Sequence, residues 1–335
     1  MDISAFENAL FLVWGPPSHG PRSQVFAREL GIRELHFVYF TTRRGLLSAI
    51  IKYPPQALKT LLLLFSIRPK LVIVQSPPNL AVLFVYIYCS IAGGKYIVDA
   101  HSAAFSKRWM RPLWLTKHLA RKAFTTIVTN EHFRQMLQGW GANSFILHDI
   151  PTVFSRASDI YPMVGDFNIV VITTFAPDEP IDEILSAAAQ TPDVHFYVTG
   201  RMKNAPVGAV ERATSNVHFT DFLPNDTYYS LLEAVQAVMC LTTRDHTMQR
   251  GACEALWMGR PIITSDWKLL REYFREGTVH VKNTSDAIVD GVREMMDNHQ
   301  VYEKGVVTLQ RDRRHEWDEK ISALIGLIRQ ESSIM

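Results

Sequence analysis

Cysteine is scarce in this 335-residue chain: there are three, Cys89, Cys240 and Cys253, far apart and each inside an apolar run. That spacing excludes a disulfide framework and a metal-binding cysteine cluster. It fits small buried residues in a reducing compartment. Long hydrophobic runs are lacking too. No stretch reaches the roughly 20 apolar residues that span a bilayer. The nearest approaches are 58–67 and 80–92, each short enough to be a buried helix. The opening residues MDISAFENALFLVWG lack a basic region and a small-residue cleavage site, so no signal peptide is expected. Acidic residues are few in the first half. Residues 1–150 hold 7 Asp/Glu against 17 Lys/Arg, a balance of +10, whereas the rest hold 26 against 18, a balance of −8. The overall +2 therefore hides two halves of opposite sign, which implies different partners. It is not the even basic coating of a nucleic-acid binder, so no nucleic-acid partner is expected.

What is present is a globular composition, 47% apolar and 20% charged. It excludes disorder and fibres, and the length suggests two domains. Short apolar runs recur: KLVIVQS (70–76), KYIVDAH (95–101), TTIVTN (125–130), FNIVVITTF (167–175), VHFYVTG (194–200), AVMCLTT (237–243) and PIITSD (261–266). Runs apolar on both faces are buried on both faces, as in a parallel sheet. Helical stretches alternate with them, for example 22–30, 112–124, 181–189 and 227–236. The pattern predicts an α/β fold. Each run ends in polar residues, where open parallel sheets bind ligands. Two prolines, two serines and a glycine interrupt the pattern in PTVFSRASDIYPMVGDF (151–167), which reads as a linker.

Five motifs are candidates for chemistry. GPPSHG (15–20) is a glycine-rich turn between an apolar run and a helix. It is not G-x-G-x-x-G, which argues against a nicotinamide cofactor. His19 within it is either a general base or a residue that orders the turn. In VDAHSAAF (98–105), Asp99 and His101 lie two apart at a strand end and point to one side. Together they are a proton-holding pair at a substrate or a satisfied structural pair, and two residues are too few for a metal site. In TTRDHTMQRGACEALWMGRPIITSD (242–266), Gly251 near a helix start, with Arg244 and Arg250 beside it, suits a diphosphate. Glu254, one turn inside, is placed to accept from ribose hydroxyls, with His246 and Gln249 in the preceding loop. VTGRMKN (198–204) adds Arg201 and Lys203 at another strand end. KRWMRPLWL (107–115) interleaves basic and aromatic residues, as membrane-interface patches and amphipathic helix starts do.

At 242–266 the chain resembles GT-B glycosyltransferases, particularly those like family 4 (group 1). There a polar loop is followed by E-x7-E, a small-residue helix and G-x-P-V-I. Here Glu254-Ala255-Leu256 leads to Gly259-Arg260-Pro261-Ile262-Ile263. NVHFTDFLPNDTYYSLLEAVQAVM (216–239) looks like the family's strand, turn and helix, DAH (99–101) like its acceptor-side histidine region, and RHEWDEKISALIGLI (314–328) like its final helix. The first carboxylate of E-x7-E is replaced by His246. The basic pair after the first strand of the second domain is replaced by Thr174, Phe175 and Asp178 to Pro180.

The resemblance implies two Rossmann-like domains whose parallel sheets face a central cleft. An acceptor domain would cover 1–152 together with a helix at 315–332 that crosses back. A linker at 153–166 would join it to a donor domain at 167–314. The implied activity is hexosyl-type transfer from a nucleotide-sugar to a lipid-linked or polysaccharide acceptor, in cell-surface polysaccharide or glycolipid synthesis. It would take place at the cytoplasmic membrane face, peripheral on anionic lipid through the basic half. Arg201, Lys203, His246, Gln249, Arg250, Gly251 and Glu254 would hold the donor, and Asp99, His101 or His19 would supply the base. The nucleotide-sugar would be a co-substrate, with no cofactor or metal required. A GT-B nucleotide-sugar epimerase and a non-catalytic membrane-recruiting subunit are the alternatives.

Overall fold

A computed structural model describes the chain apart from residues 1–5, 7, 18–20, 42–45, 153, 155–159 and 333–335. It divides into two compact units, Met1–Ile150 with Trp317–Met335, and Pro151–Glu316. His19, Arg43 and Arg44 lie outside the described residues.

The first unit contains β1 (Ala9–Val13), α1 (Pro21–Glu29), β2 (Glu34–Phe37), α2 (Leu46–Ile67), β3 (Leu71–Ser76), α3 (Asn79–Ala92), β4 (Lys95–Ala100), α4 (Leu113–Lys122), β5 (Thr125–Val128), α5 (Glu131–Gly139) and β6 (Ser144–Ile146). Its six strands are all parallel, in the order β2-β1-β3-β4-β5-β6. Successive residues face opposite sides of the sheet. Leu10, Leu12, Val72, Val74 and Val98 join one core with α2, α3, α4 and α5. Phe11, Val13, Ile73, Ile97 and Ile127 join the other with α1. The second core also takes Trp317, Ile321, Leu324, Ile325 and Ile328 from the last helix, α12 (His299–Ser332). That helix begins well before the expected 315. No proline interrupts it, and it carries Val306 and Leu309 into a core of the second unit before Trp317 enters one of the first.

The second unit contains β7 (Asn168–Val171), α6 (Ile181–Gln190), β8 (His195–Thr199), α7 (Ala209–Arg212), β9 (Val217–Asp221), α8 (Asn225–Ala234), β10 (Ala237–Cys240), α9 (Arg250–Met258), β11 (Ile262–Ser265), α10 (Lys268–Tyr273), β12 (Thr278–Val281) and α11 (Ser285–Asp297). Its six parallel strands run β12-β11-β10-β7-β8-β9. The order reverses between β7 and β10. That is the Rossmann switch point, outside whose carboxyl strand ends ligands bind. Helix α9 ends at Gly259, whose left-handed φ of 69° turns the chain towards β11 without a Cβ clash.

No described helix is long and apolar enough to cross a membrane. Cys89, Cys240 and Cys253 are all buried thiols. Among the described residues no group of three or more His, Cys, Asp and Glu is placed to hold a metal ion.

Candidate functional site

In the second unit, three loops converge at the switch point. The loop after β7 carries Glu179, whose carboxylate accepts from the backbone N–H of Thr174 at 2.9 Å, that of Ala176 at 2.8 Å, and the hydroxyls of Thr173 and Thr174. This one side chain holds the loop closed on itself. The loop after β10 is tied to it: Thr243 N–H donates to the Asp178 carbonyl at 2.7 Å, and Thr242 Oγ1 to the Asp178 carboxylate at 3.0 Å. The loop after β8 passes close by. A Cβ at Gly200 would lie 2.6 Å from the Thr173 carbonyl oxygen, and its φ is 112°, so only glycine fits there. Thr242 also joins neighbouring strand ends, accepting through its carbonyl from Trp267 Nε1 at 2.8 Å and Asn283 Nδ2 at 2.9 Å. The rim of the crevice is thus fixed by interlocked polar groups, as a preorganised site requires.

The expected donor residues occupy this rim in different ways. Arg250 Nε donates to Glu254 at 2.8 Å, and the other Glu254 oxygen accepts from Tyr228 OH at 2.8 Å. Burial, then the Glu254 charge, pushes the Tyr228 phenol well above its usual range, so it stays a donor. Gln249 points inward, its Oε1 accepting from Thr264 Oγ1 at 3.0 Å. Gly251 is a packing glycine: an added Cβ would lie 2.8 Å from Ile172 Cγ2 and 3.0 Å from Cys240 Sγ. It lets the start of α9 approach the ends of β7 and β10. His246 sits in the loop with a left-handed φ of 57°, its ring 3.3 Å from the Asp245 carboxylate. Arg201 lies 4.2 Å over the Phe222 ring. Arg201 and Lys203 are both exposed. Beside them Asp221 is held below the usual carboxylate range by the N–H groups of Met202 and Phe222.

In the first unit, Asp99 is fully buried at the end of β4. Its carboxylate lies 3.4 Å from Arg22 of α1 and 3.4 Å from His101 Nε2. Burial alone would raise its pKa. The Arg22 charge, with help from His101, outweighs that and holds it at about 2. Asp99 is thus a fixed anion and a poor proton acceptor at neutral pH. His101 is partly exposed and is the member of the pair that solvent can reach. Beyond it, a short 3-10 turn (Ser102–Phe105) helps to line an apolar pocket with Val82, Leu119, Leu137 and Trp140.

Residues 167–298 match the family model described as glycosyl transferases group 1. Over those residues the chain resembles group 1 glycosyltransferases, and they include the strands and loops of the second sheet described above. Among solved structures, sucrose-phosphate synthase from Thermosynechococcus elongatus is 14% identical at a TM-score of 0.70, covering 98% of this chain and 100% of its own. HepE from Anabaena, in complex with UDP-glucose, is 14% identical at 0.67, over 98% and 99%. A Listeria monocytogenes protein assigned as a UDP-N-acetylglucosamine 2-epimerase is 10% identical at 0.61, over 89% and 90%. No curated protein matches in sequence. The architecture is GT-B, and the family and fold matches support a transferase.

Within the matched residues 167–298, the sequence motifs do not single out Asp178 and Glu179 as site residues. Their signal was present: an acidic pair before Pro180, within reach of Thr173-Thr174 at a strand end. Only the fold shows that the pair binds the loop rather than solvent.

Proposed function

We propose that this chain transfers a hexosyl group from a nucleotide-sugar, held by the glycosyltransferase domain, to a glycan acceptor held by the first unit. One observation carries the reading. The matched domain has its switch-point crevice at the start of α9, with Arg250 and Glu254 on the rim. The Glu254 oxygens accept from a phenol and a guanidinium, which fix the carboxylate at the start of α9 with lone pairs left to accept ribose hydroxyls. Arg250, Arg201, Lys203 and the α9 terminus supply positive potential for a leaving diphosphate, so the reading uses no metal. His101, oriented by the fixed Asp99 anion, takes the acceptor proton. HepE is described with UDP-glucose, which makes that donor the first to test. A lipid-linked or polysaccharide acceptor at the cytoplasmic membrane face, in surface-glycan synthesis, completes the reading. The basic first half supports it.

The test is a thermal-shift series with UDP-, GDP- and ADP-sugars. A ligand that binds only the folded state stabilises it, by about 2.7 kcal/mol at a hundredfold excess over Kd. One nucleotide class should raise the melting temperature. In Glu254→Gln, which still accepts from Tyr228, that shift should shrink along with turnover. Unchanged donor affinity in this variant would remove Glu254 from the site, and no shift with any donor would overturn the function. The likeness to the Listeria protein keeps a second reading, epimerisation. Conversion of the donor with no acceptor added would favour it.

A further inference from the structure

Between Glu34 and Asp99 the chain has no Asp or Glu, yet seven Lys and Arg occur there. Helix α2 lies in this stretch and is apolar on two sides. Its inner side is fixed to the sheet by buried Ala57, Thr60 and Leu64. Trp14 Nε1 donates to Thr60 Oγ1 at 2.8 Å, and Gln56 Nε2 to the Val38 carbonyl at 2.8 Å. Its outer side exposes Ile50 (65%), Ile51 (62%), Leu58 (60%), Leu62 (64%) and Phe65 (40%). Positions 51, 58, 62 and 65 fall on one helical stripe, where an ordinary surface helix carries polar residues.

Cations border the stripe. Lys52 and Lys59 run along one edge, the Lys52 ammonium 5.1 Å over the Tyr53 ring. Arg108, from the loop after β4, acts electrostatically on the Tyr53 phenol, and Arg68 at the far end acts on Tyr88. A cation of the basic-aromatic segment 107–115 is therefore within electrostatic reach of the first half of α2.

An exposed apolar row of this length marks a docking surface. Charge selects the occupant. Two copies packed through α2 would bring Lys52, Lys59 and Arg68 of each against the same residues of the other, with no carboxylate on the helix to offset them. Anionic headgroups neutralise the same cations while acyl chains take the stripe.

We propose that the outer face of α2 is a docking surface for an anionic bilayer. The helix lies in the interface plane, with Ile51, Leu58, Leu62 and Phe65 at the acyl boundary and Lys52, Lys59 and Arg68 among the headgroups. This deepens the membrane-face part of the proposed function, on which it rests, by naming the surface that seats the first unit.

The test uses the full chain and sedimenting vesicles, either phosphatidylcholine alone or phosphatidylcholine with about one third phosphatidylglycerol. Binding to the mixed vesicles should be about tenfold tighter than to the neutral ones and weaken in high salt. The double variant Leu58→Glu/Leu62→Glu should lose about tenfold in affinity for the mixed vesicles. Both positions are exposed, so its melting temperature should hold. If that variant fails to fold, Lys52→Glu/Lys59→Glu should selectively lose the phosphatidylglycerol-dependent part. Equal binding of folded variants and wild type overturns the proposal. So does a dimer of the wild-type chain, seen by sedimentation equilibrium, that the leucine variant breaks. Vesicle binding and the donor-induced thermal shift are separate readouts, so failure of one leaves the other standing.

Discussion

Asp99 shows how one residue's chemistry depends on neighbours far away in sequence. Its carboxylate is buried between Arg22 and His101 and is held at about 2. A depressed carboxylate contributes stability that is present above its unfolded pKa, near 3.8, and is lost as the pH falls towards 2. Stability should therefore be insensitive to this group from pH 5 to 8 and fall in the acid limb. Asp99→Asn should cost about 3 kcal/mol at neutral pH, because Arg22 is left without its buried partner. It should also flatten the acid limb. Urea unfolding across the pH range checks both. The Asp99–His101 spacing was legible in the sequence, but Arg22 was not. It stands 77 positions from Asp99 and is brought in by α1.

Among elements, the strands buried on both faces stood out in the sequence because their apolar runs were unbroken. Strands β2, β6 and β12 did not. They are sheet edges of three or four residues with polar or histidine side chains mixed in, so no continuous run marks them. Helix α9 depends on close packing at its first turn, where Gly251 meets Ile172 and Cys240. Gly251→Ala should cost about 1–3 kcal/mol, because the contacts involved are a strand-end side chain and a buried sulfur. Gly326, in α12, has open space within 4 Å of the place an alanine methyl would take. Gly326→Ala should stabilise by roughly 0.5–1 kcal/mol. Opposite shifts in the urea midpoint are expected. Equal shifts would refute the packing role of Gly251. The sequence singled out Gly251 as an anion-site glycine, whereas its closest neighbours are the atoms that limit how near α9 lies to the sheet.

For the whole molecule, the chain order and the folded units do not coincide. The first unit is completed by residues from Trp317 onward, whose Trp317, Ile321, Leu324, Ile325 and Ile328 side chains belong to its second core. Burying each large apolar side chain is worth about 1.5–3 kcal/mol, so five are comparable to the whole margin of an ordinary domain. A chain ending at residue 316 should lose the fold of the first unit. Rapid proteolysis confined to residues before 150 is the expected readout. A protease-resistant first unit in that truncation would refute this role of α12.

The sequence by itself determined the α/β class, the strands at the centre of each sheet, and the segment that carries the family pattern. All of these are local or periodic, written in runs of side chains that must be buried together. Only the tertiary structure decided which polar residues act together. Asp178 and Glu179 close the rim with Thr242, Arg22 fixes Asp99, and the outer stripe of α2 is left exposed while its inner side packs. Partners distant in the chain, and the difference between a covered and an uncovered apolar face, exist only once the sheets have assembled and chosen which side each helix buries.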